Sequence, residues 1–326
     1  MPFQDLRGHR HLLGLLSSAV ARNAVPQSLL FAGPDGVGKR LTALVLAQAV
    51  NCAQRERPCG TCNSCRKIAR GVHPDVWLIE PGDSGSIKTE EIREAIGRSA
   101  YRPFEGQRRV TIVAQADALV PNAQDALLKT LEEPPSGSIF VLVTARPDAL
   151  LPTIGSRCYR LRFGRLAEAE VAAILRERHG WSEPEALAGA ALADGSVGAA
   201  LDVRTEEATE ARESAIELLC GVAPAKSTAV DRLEQAKALA GGAERDELAR
   251  RLRAAASMLR DIRALAAGAS PRILANGDLR DELAALTGSY NAERGLEAFS
   301  SVDAALEALG RNVGPKVVAD WIALEV

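Results

Sequence analysis

A glycine-rich loop between a strand pattern and a helical pattern constrains the fold of this chain more than any other feature. The run SLLFA at 28–32 is short and apolar, GPDGVGKR occupies 33–40, and LTALVLAQAVNC at 41–52 has the pattern of a helix. A strand that leads through a glycine loop into a helix is typical of the opening unit of an α/β domain with a phosphate site at the helix N-terminus.

The loop matches the phosphate-binding pattern G-x-x-x-x-G-K but departs from it at the next position. Backbone N–H groups beside Gly33, Gly36 and Gly38 can converge on a phosphate. Lys39 stands where such a lysine reaches the β- and γ-phosphates. The residue after it is usually Ser or Thr, whose hydroxyl binds Mg²⁺, whereas Arg40 is itself a cation. We expect a degenerate nucleotide site, with a ligand-free glycine turn as the alternative.

Three more strand patterns follow, and helical patterns separate them. The strands are predicted at 75–81, 108–115 and 138–145, and the helices at 89–100, with Thr89 as the N-cap, and at 121–135. Strands that alternate with helices predict a mostly parallel sheet covered by helices on both faces. Beyond residue 165 only helical patterns occur.

The predicted division is an α/β P-loop domain at 1–164, a small helical lid at 165–204 and an all-helical C-terminal domain at 205–326. Apolar residues make up 47% of the 326 residues and charged residues 25%, which is enough apolar material for a core and excludes wholesale disorder. The net charge of −2 disfavours a general polyanion binder but leaves a local basic patch open.

Two features of the chain bear on its location in the cell. No apolar run reaches the roughly 18 residues of a membrane span. The N-terminal MPFQDLRGHRHLL is charged too early for a signal peptide. We therefore expect a cytoplasmic protein.

The third strand pattern lacks the acidic pair that ATP hydrolysis requires. In P-loop ATPases an acidic pair at the end of a neighbouring strand holds Mg²⁺ and positions water. Here Ala114 and Gln115 end the strand, and Asp117 is interpreted as a helix-start residue. Without the carboxylates and the loop hydroxyl, the site is not expected to turn over, although it can still hold nucleotide.

Four of the six cysteines form a cluster with the spacing C-x6-C-x2-C-x2-C: Cys52, Cys59, Cys62 and Cys65. Clustered thiols in a cytosolic chain indicate a metal, and four thiolates would complete the coordination shell of a structural zinc ion. Unligated thiols, a redox pair and an iron–sulfur cluster are the alternatives. Cys158 and Cys220 stand apart and are expected to be small buried residues.

The run NAQDALLKTLEEPP at 122–135, followed by FVLVTARPDALLPTIGSRC at 140–158, closely resembles the clamp-loader branch of the AAA+ superfamily. Within that branch the chain resembles the delta-prime subunit family of bacterial DNA polymerase III. The resemblance covers the α/β domain and the lid. It implies a four-Cys zinc module inserted after the P-loop helix, where this chain has its cluster.

The resemblance also implies roles for single residues. Thr144 matches the sensor 1 region, and Arg157 matches an arginine finger that reaches the ATP site of a neighbouring subunit. An arginine fork suits γ-phosphate oxygens and, supplied in trans, can be worth roughly 10³–10⁵ in rate. Gly198 stands at the position of the sensor 2 arginine. The nearby Arg160, Arg162 and Arg165 are expected to be solvated strand positions.

The resemblance implies a non-catalytic subunit of the DNA-directed DNA polymerase III holoenzyme. It would join gamma/tau and delta subunits in a hetero-pentamer through a collar of C-terminal helices. The assembled complex would load the sliding clamp on primer-template DNA, at the nucleoid through the replisome. Whether the loop holds ATP or ADP stays open.

Two other functions are considered. One is an ATP-hydrolysing subunit of the gamma/tau type. The other is a zinc-containing nucleic-acid-binding module that uses Arg66, Lys67 and Arg70 beside the cysteines.

Overall fold

The computed structural model describes residues 3–82, 84–202, 206–223, 229–240, 244–269, 274–310 and 313–325. The chain folds as two compact units, residues 1–199 and 200–326. The predicted boundary between lid and C-terminal domain, at 204/205, lies outside the described residues. The division into three domains therefore stays a prediction.

Within the described residues, five strands form a parallel sheet in the order β2-β3-β4-β1-β5. The strands are β1 (Ser28–Ala32), β2 (Val76–Ile79), β3 (Arg109–Val113), β4 (Ser138–Thr144) and β5 (Tyr159–Arg162). The predicted α/β class with a parallel sheet is confirmed. The strand patterns had not included β5, because Leu161 is its one buried residue and the other three are exposed.

Helices follow the strands along the chain. In the first unit they are α1 (Arg10–Ala21), α2 (Lys39–Asn51), α3 (Asn63–Ala69), α4 (Thr89–Ser99), α5 (Pro121–Glu132), α6 (Pro152–Arg157), α7 (Glu168–His179), α8 (Glu183–Leu192) and α9 (Val197–Asp202), the last reaching the unit boundary. The predicted N-cap at Thr89 is wrong by one residue. Glu91 Oε2 accepts a hydrogen bond from the backbone N–H of Lys88 at 2.8 Å and caps the helix from there.

Apolar side chains cover both faces of the sheet. Val141 and Val143 of β4 belong to one buried cluster, whereas Phe140 and Leu142 belong to the other. Because both faces are buried there, β4 is an almost continuous apolar run without polar alternation. This packing fixes the carboxyl edge of the sheet, where the glycine loop leaves β1.

The second unit consists of helices around its own core. They are α10 (Glu206–Gly221), α11 (Ala229–Ala240), α12 (Arg245–Ala266), α13 (Arg280–Leu286), α14 (Ala292–Gly310) and α15 (Pro315–Glu325). Leu252, Leu259 and Ile262 of the long helix α12 are fully buried in this core. Tyr290 is also buried, and its hydroxyl donates to the carbonyl oxygen of Leu219 at 3.0 Å.

The isolated cysteines divide into one buried and one exposed residue. Cys158 is buried, as predicted, but the prediction for Cys220 is wrong because its side chain is exposed. Cys220 lies near the end of α10, where Leu218 and Leu219 turn into the core and the cysteine faces away from it. Of the helices described here, none has the length and apolar content to cross a bilayer.

Candidate functional site

The lysine at the end of the glycine loop is hydrogen-bonded to the loop itself. Lys39 is the first residue of α2, and its Nζ donates to the carbonyl oxygens of Gly33 and Pro34, both at 2.6 Å. The Asp35 carboxylate lies 3.5 Å from the same nitrogen. Burial lowers the pKa of Lys39, and Asp35 opposes that shift. The amino group that would bind a phosphate is thus paired within the loop.

The lid lies directly against the loop at Gly36. The carbonyl oxygen of Gly36 accepts a hydrogen bond from the backbone N–H of Gly198 at 3.2 Å. A Cβ on Gly36, which has a φ of 71°, would lie 2.1 Å from Oγ of Ser196. The position therefore requires glycine for its backbone angle and for the close approach of the lid. At the predicted sensor 2 position, Gly198 supplies a backbone N–H and no guanidinium.

Arg40 forms an ion pair across the carboxyl edge of the sheet. Its Nη2 lies 2.9 Å from Oε2 of Glu80, the residue that follows β2. Sequence reasoning missed Glu80. The signal was available, because the carboxyl ends of parallel strands share one edge and β2 was predicted. A guanidinium paired with a carboxylate thus occupies the position of the magnesium-binding hydroxyl.

The end of β3 carries no carboxylate, but Asp117 follows shortly after it along the chain. The Asp117 carboxylate is hydrogen-bonded within the protein. Asp117 accepts a hydrogen bond from the Thr144 hydroxyl at 2.9 Å and one from Arg146 Nε at 3.0 Å. The interpretation of Asp117 as a mere helix-start residue is therefore incomplete. Its carboxylate fixes the predicted sensor 1 threonine. Sequence reasoning also missed Arg146, which nothing in its local pattern distinguishes from a solvated arginine.

Arg157 lies at the opposite edge of the sheet from the glycine loop. Parallel pairing of β1 with β5 sets Tyr159 beside Leu29, so Arg157 precedes the amino end of β5 while Gly33 follows the carboxyl end of β1. The four steps from Leu29 to Gly33 span about 13 Å at the usual rise of a strand. Arg157 and the phosphate loop of its own chain therefore lie at opposite ends of the sheet.

The Arg157 side chain is fixed by local contacts. Its Nε and Nη2 lie 3.0 and 2.9 Å from Oε2 of Glu132, and Nη1 donates to the Thr153 carbonyl oxygen at 3.1 Å. The side chain keeps 32% exposure. Sequence reasoning missed Glu132, although it lies in the LLKTLEEPP run. Arg160 and Arg162 are exposed on β5, as predicted. Arg165 is also exposed, but it lies outside the strand and pairs with Asp194, so its prediction as a strand position is wrong.

The structure brings the four clustered cysteines together. Their Sγ atoms all lie within 4.8 Å of one another, and those of Cys52 and Cys62 are 3.9 Å apart. A tetrahedron of sulfurs about 2.3 Å from a zinc ion has S–S separations of about 3.8 Å. Cys59 and Cys65 complete the set, and the four residues fit a metal ion. In the described part of the chain, no other group of three or more such ligands meets.

The protein shifts the thiol pKa values of the cluster in different directions. Backbone hydrogen bonding from Cys62 lowers the pKa of Cys59 to about 6, whereas burial raises the pKa of Cys65 to about 12. Burial also raises the pKa of Cys52. One ligand is thus a ready thiolate near neutral pH. The buried thiols lose their protons only when a cation compensates the charge.

The basic run beside the cysteines is partly engaged within the protein. Arg66 Nε donates to the Thr61 carbonyl oxygen at 2.6 Å, and Lys67 Nζ lies 2.6 Å from Oε2 of Glu105. These contacts reduce the cationic surface on which a nucleic-acid-binding module would depend. Arg70 remains exposed.

A buried carboxylate organises the loop between α4 and β3. Asp75 accepts backbone N–H groups of Phe104, Glu105 and Gly106 at 2.7, 2.9 and 2.8 Å. Burial by itself would raise the pKa of Asp75, but these donors and Arg109 outweigh it, so the net pKa lies below the ordinary 3.8. The loop is thereby held in one conformation.

Comparison with known proteins shows that the first unit is similar to subunits of DNA polymerase III. Residues 8–167 match the family described as "DNA polymerase III, delta subunit". The chain is 36% identical over 153 residues to the delta' subunit of DNA polymerase III from Bacillus subtilis, covering 47% of this chain and 46% of that protein. It is 35% identical over 191 residues to the tau subunit from Escherichia coli, covering 57% of this chain and 29% of that protein.

The gamma/tau subunit of Mycobacterium tuberculosis is 34% identical over 175 residues, covering 53% of this chain and 30% of that protein. The chain thus spans between about a third and a half of the length of these relatives. Among solved structures, a gamma subunit-related protein of Thermotoga maritima is similar with a TM-score of 0.45 and 19% identity, covering 95% of this chain and 97% of that one.

Proposed function

We propose that this chain, which belongs to the DNA polymerase III clamp-loader family through residues 8–167, is a delta-prime-type subunit that hydrolyses no ATP itself. In this proposal it completes the ATP site of a neighbouring gamma/tau subunit with Arg157. The complex would then load the sliding clamp on primed DNA in the cytoplasm. Sequence identity does not separate the two subunit types, since relatives of both lie between 34% and 36%.

The arrangement around the glycine loop is the observation that carries this proposal. Lys39 is paired with loop carbonyls, and Arg40 is paired with Glu80. The nearest carboxylate behind β3, Asp117, is engaged by Thr144 and Arg146. Phosphoryl transfer depends on positioning and on neutralising charge with Mg²⁺. These residues offer neither the hydroxyl nor the acidic pair that would hold the ion, which supports a non-catalytic role.

The position of Arg157 supports an action in trans. It lies at the other end of the sheet from its own glycine loop, too far to act on a phosphate bound there. The exposed edge of an arginine fork suits the γ-phosphate of a bound ATP. A neighbouring ATPase subunit in a ring would present such a phosphate.

The four cysteines are proposed to hold a structural zinc ion. Cys52, Cys59, Cys62 and Cys65 would fill all four positions of a tetrahedral ion, which leaves none for a reacting water. The ion would fix the chain between α2 and α3.

The second unit is proposed to join the partner subunits. Val317, Trp321 and Leu324 lie on α15 at spacings of four and three residues, with exposures of 63%, 37% and 61%. This spacing places them along one side of the helix. An exposed apolar row on a terminal helix suits packing against helices of other clamp-loader subunits in a hetero-pentamer.

Two measurements test the proposed function. The purified chain is expected to show no Mg²⁺-dependent ATP hydrolysis above background. Mixed with gamma/tau and delta subunits, it should elute in one stable complex. Appreciable turnover by the isolated chain would instead support the gamma/tau-type alternative, and failure to assemble would contradict the clamp-loader role.

A further inference from the structure

The ion pair between Arg157 and Glu132 joins the C-terminal ends of two helices. Glu132 is the last residue of α5, and Arg157 is the last residue of α6. Buried residues anchor both ends: Leu131 lies beside the glutamate, and Ile154 and Cys158 flank the arginine. The two charged groups are thus held at fixed points.

The contacts leave one part of the guanidinium available. An arginine has five N–H donors, and the contacts to Glu132 and Thr153 use the Nε edge and one donor of Nη1. One N–H on each Nη atom remains. Guanidinium N–H groups form charge-assisted hydrogen bonds with phosphate oxygens. Glu132 therefore holds the guanidinium on its Nε side and leaves N–H donors for an external anion.

Stability does not account for the placement of Glu132. The C-terminal end of a helix disfavours a carboxylate, because the helix dipole is negative there. The Glu132 side chain is 60% exposed, and exposed ion pairs add little to the stability of a protein. The same pair restricts the orientation of a long side chain, which lowers the entropy lost when that side chain binds an anion.

We infer that Glu132 is a positioning residue for Arg157, holding the guanidinium so that its remaining N–H groups meet the γ-phosphate bound by the neighbouring subunit. This inference rests on the proposed function, because it assigns the second residue of the same finger. Orientation of a reacting or stabilising group is worth a large factor in rate, and small misplacements reduce it.

The test measures DNA-stimulated ATP hydrolysis by the clamp loader assembled with variant chains. Glu132→Ala is expected to lower kcat at the neighbouring site roughly tenfold, with KM for ATP, assembly and the melting temperature unchanged. Glu132→Gln keeps one acceptor oxygen, so its kcat should lie between that of Glu132→Ala and that of the unaltered chain. Glu133→Ala, on the adjacent exposed glutamate outside the ion pair, is the matched control and should leave kcat unchanged.

A double variant separates this inference from the proposed function. If Glu132 acts through Arg157, a complex with both Arg157→Ala and Glu132→Ala hydrolyses ATP no more slowly than a complex with Arg157→Ala alone. The positioning role is overturned if the losses in kcat of the two single variants add in the double variant. It is also overturned if Glu132→Ala leaves kcat equal or raises it. In either case the assignment of Arg157 as the finger is unaffected. If Arg157→Ala itself has no effect, the finger and its positioning are both wrong.

Discussion

At the scale of single residues, three buried or half-buried charges determine what this chain can do. Lys39 and Asp75 are satisfied by backbone groups of their own surroundings, and Asp117 is satisfied by side chains that approach from β4. Each of the three charges is thus compensated within the protein. Arg157 differs, since its contacts leave part of its guanidinium open.

Asp75 is predicted to make the stability of the first unit depend on pH. Its pKa is lowered in the folded protein, so its contribution is complete above the ordinary value of 3.8 and is lost as the pH falls through the folded pKa. Asp75→Asn should cost about 2 kcal/mol at pH 7, because hydrogen bonds to a charge are lost. Melting temperatures measured from pH 7 to pH 3 should show this difference narrowing below 3.8.

The control for this prediction is Asp148→Asn, which changes an exposed aspartate of the same unit. It should leave the melting temperature unchanged over the whole range. A difference between Asp75→Asn and the unaltered chain that grows towards acid pH would contradict the assignment.

At the scale of elements, the short helix α3 depends on the cysteine cluster. Its seven residues are too few for an isolated helix to be stable. Cys62 caps its first turn, Cys65 lies within it, and the Cys65 carbonyl oxygen accepts a hydrogen bond from Gln48. A metal ion that joins both cysteines to Cys52 and Cys59 would fix the helix to the end of α2.

Cys59→Ser is predicted to remove zinc and to loosen only this element. Structural zinc is worth about 10–16 kcal/mol in small peptides, but here the sheet has its own core, so the loss should stay local. The zinc content measured by metal analysis should fall from about one ion per chain towards zero. Amide exchange should rise across residues 52–69 and remain slow in β1 and β4.

Cys220→Ser is the matched control, because it removes a cysteine outside the cluster. It should retain the zinc. A native protein without bound metal, or a Cys59→Ser chain that loses the whole sheet, would refute the prediction.

The elements differ in how far the sequence could predict them. Strands β1 to β4 were predictable because each is a continuous apolar run between helical patterns. In contrast, β5 was indicated only by its solvated arginines and its bounds were not predicted, since only Leu161 is buried and the strand adds to the sheet edge through backbone pairing. The four cysteines were predictable from spacing alone. The partners Glu80, Asp117 and Glu132 were missed as site residues, because their roles depend on contacts with residues 25 or more positions away.

At the scale of the whole molecule, each unit has its own core and its own proposed task. The first unit carries Arg157, and the second carries the exposed row on α15. Because the two proposed tasks belong to different units, they should be separable by mutation. Variants of Arg157 should impair ATP hydrolysis by the complex, and variants of α15 should impair assembly.

The double variant Val317→Ser/Leu324→Ser is predicted to weaken assembly without unfolding the chain. Each side chain contributes about 1.5–3 kcal/mol when it is fully buried, so affinity for the partner subunits should fall by tenfold or more. Circular dichroism should be unchanged. Leu187→Ser, which alters an exposed leucine of α8, should assemble normally. Equal affinity for the double variant would show that α15 lies outside the interface.

The most direct test of the central claim is DNA-stimulated ATP hydrolysis by the intact clamp loader carrying Arg157→Ala. The rate of ATP hydrolysis at the site beside this subunit should fall by about a thousandfold or more, because the arginine that neutralises charge on the γ-phosphate is removed. Arg160→Ala, on an exposed arginine three residues away, should leave the rate unchanged. Full turnover at every ATP site of an intact complex containing Arg157→Ala would contradict the account.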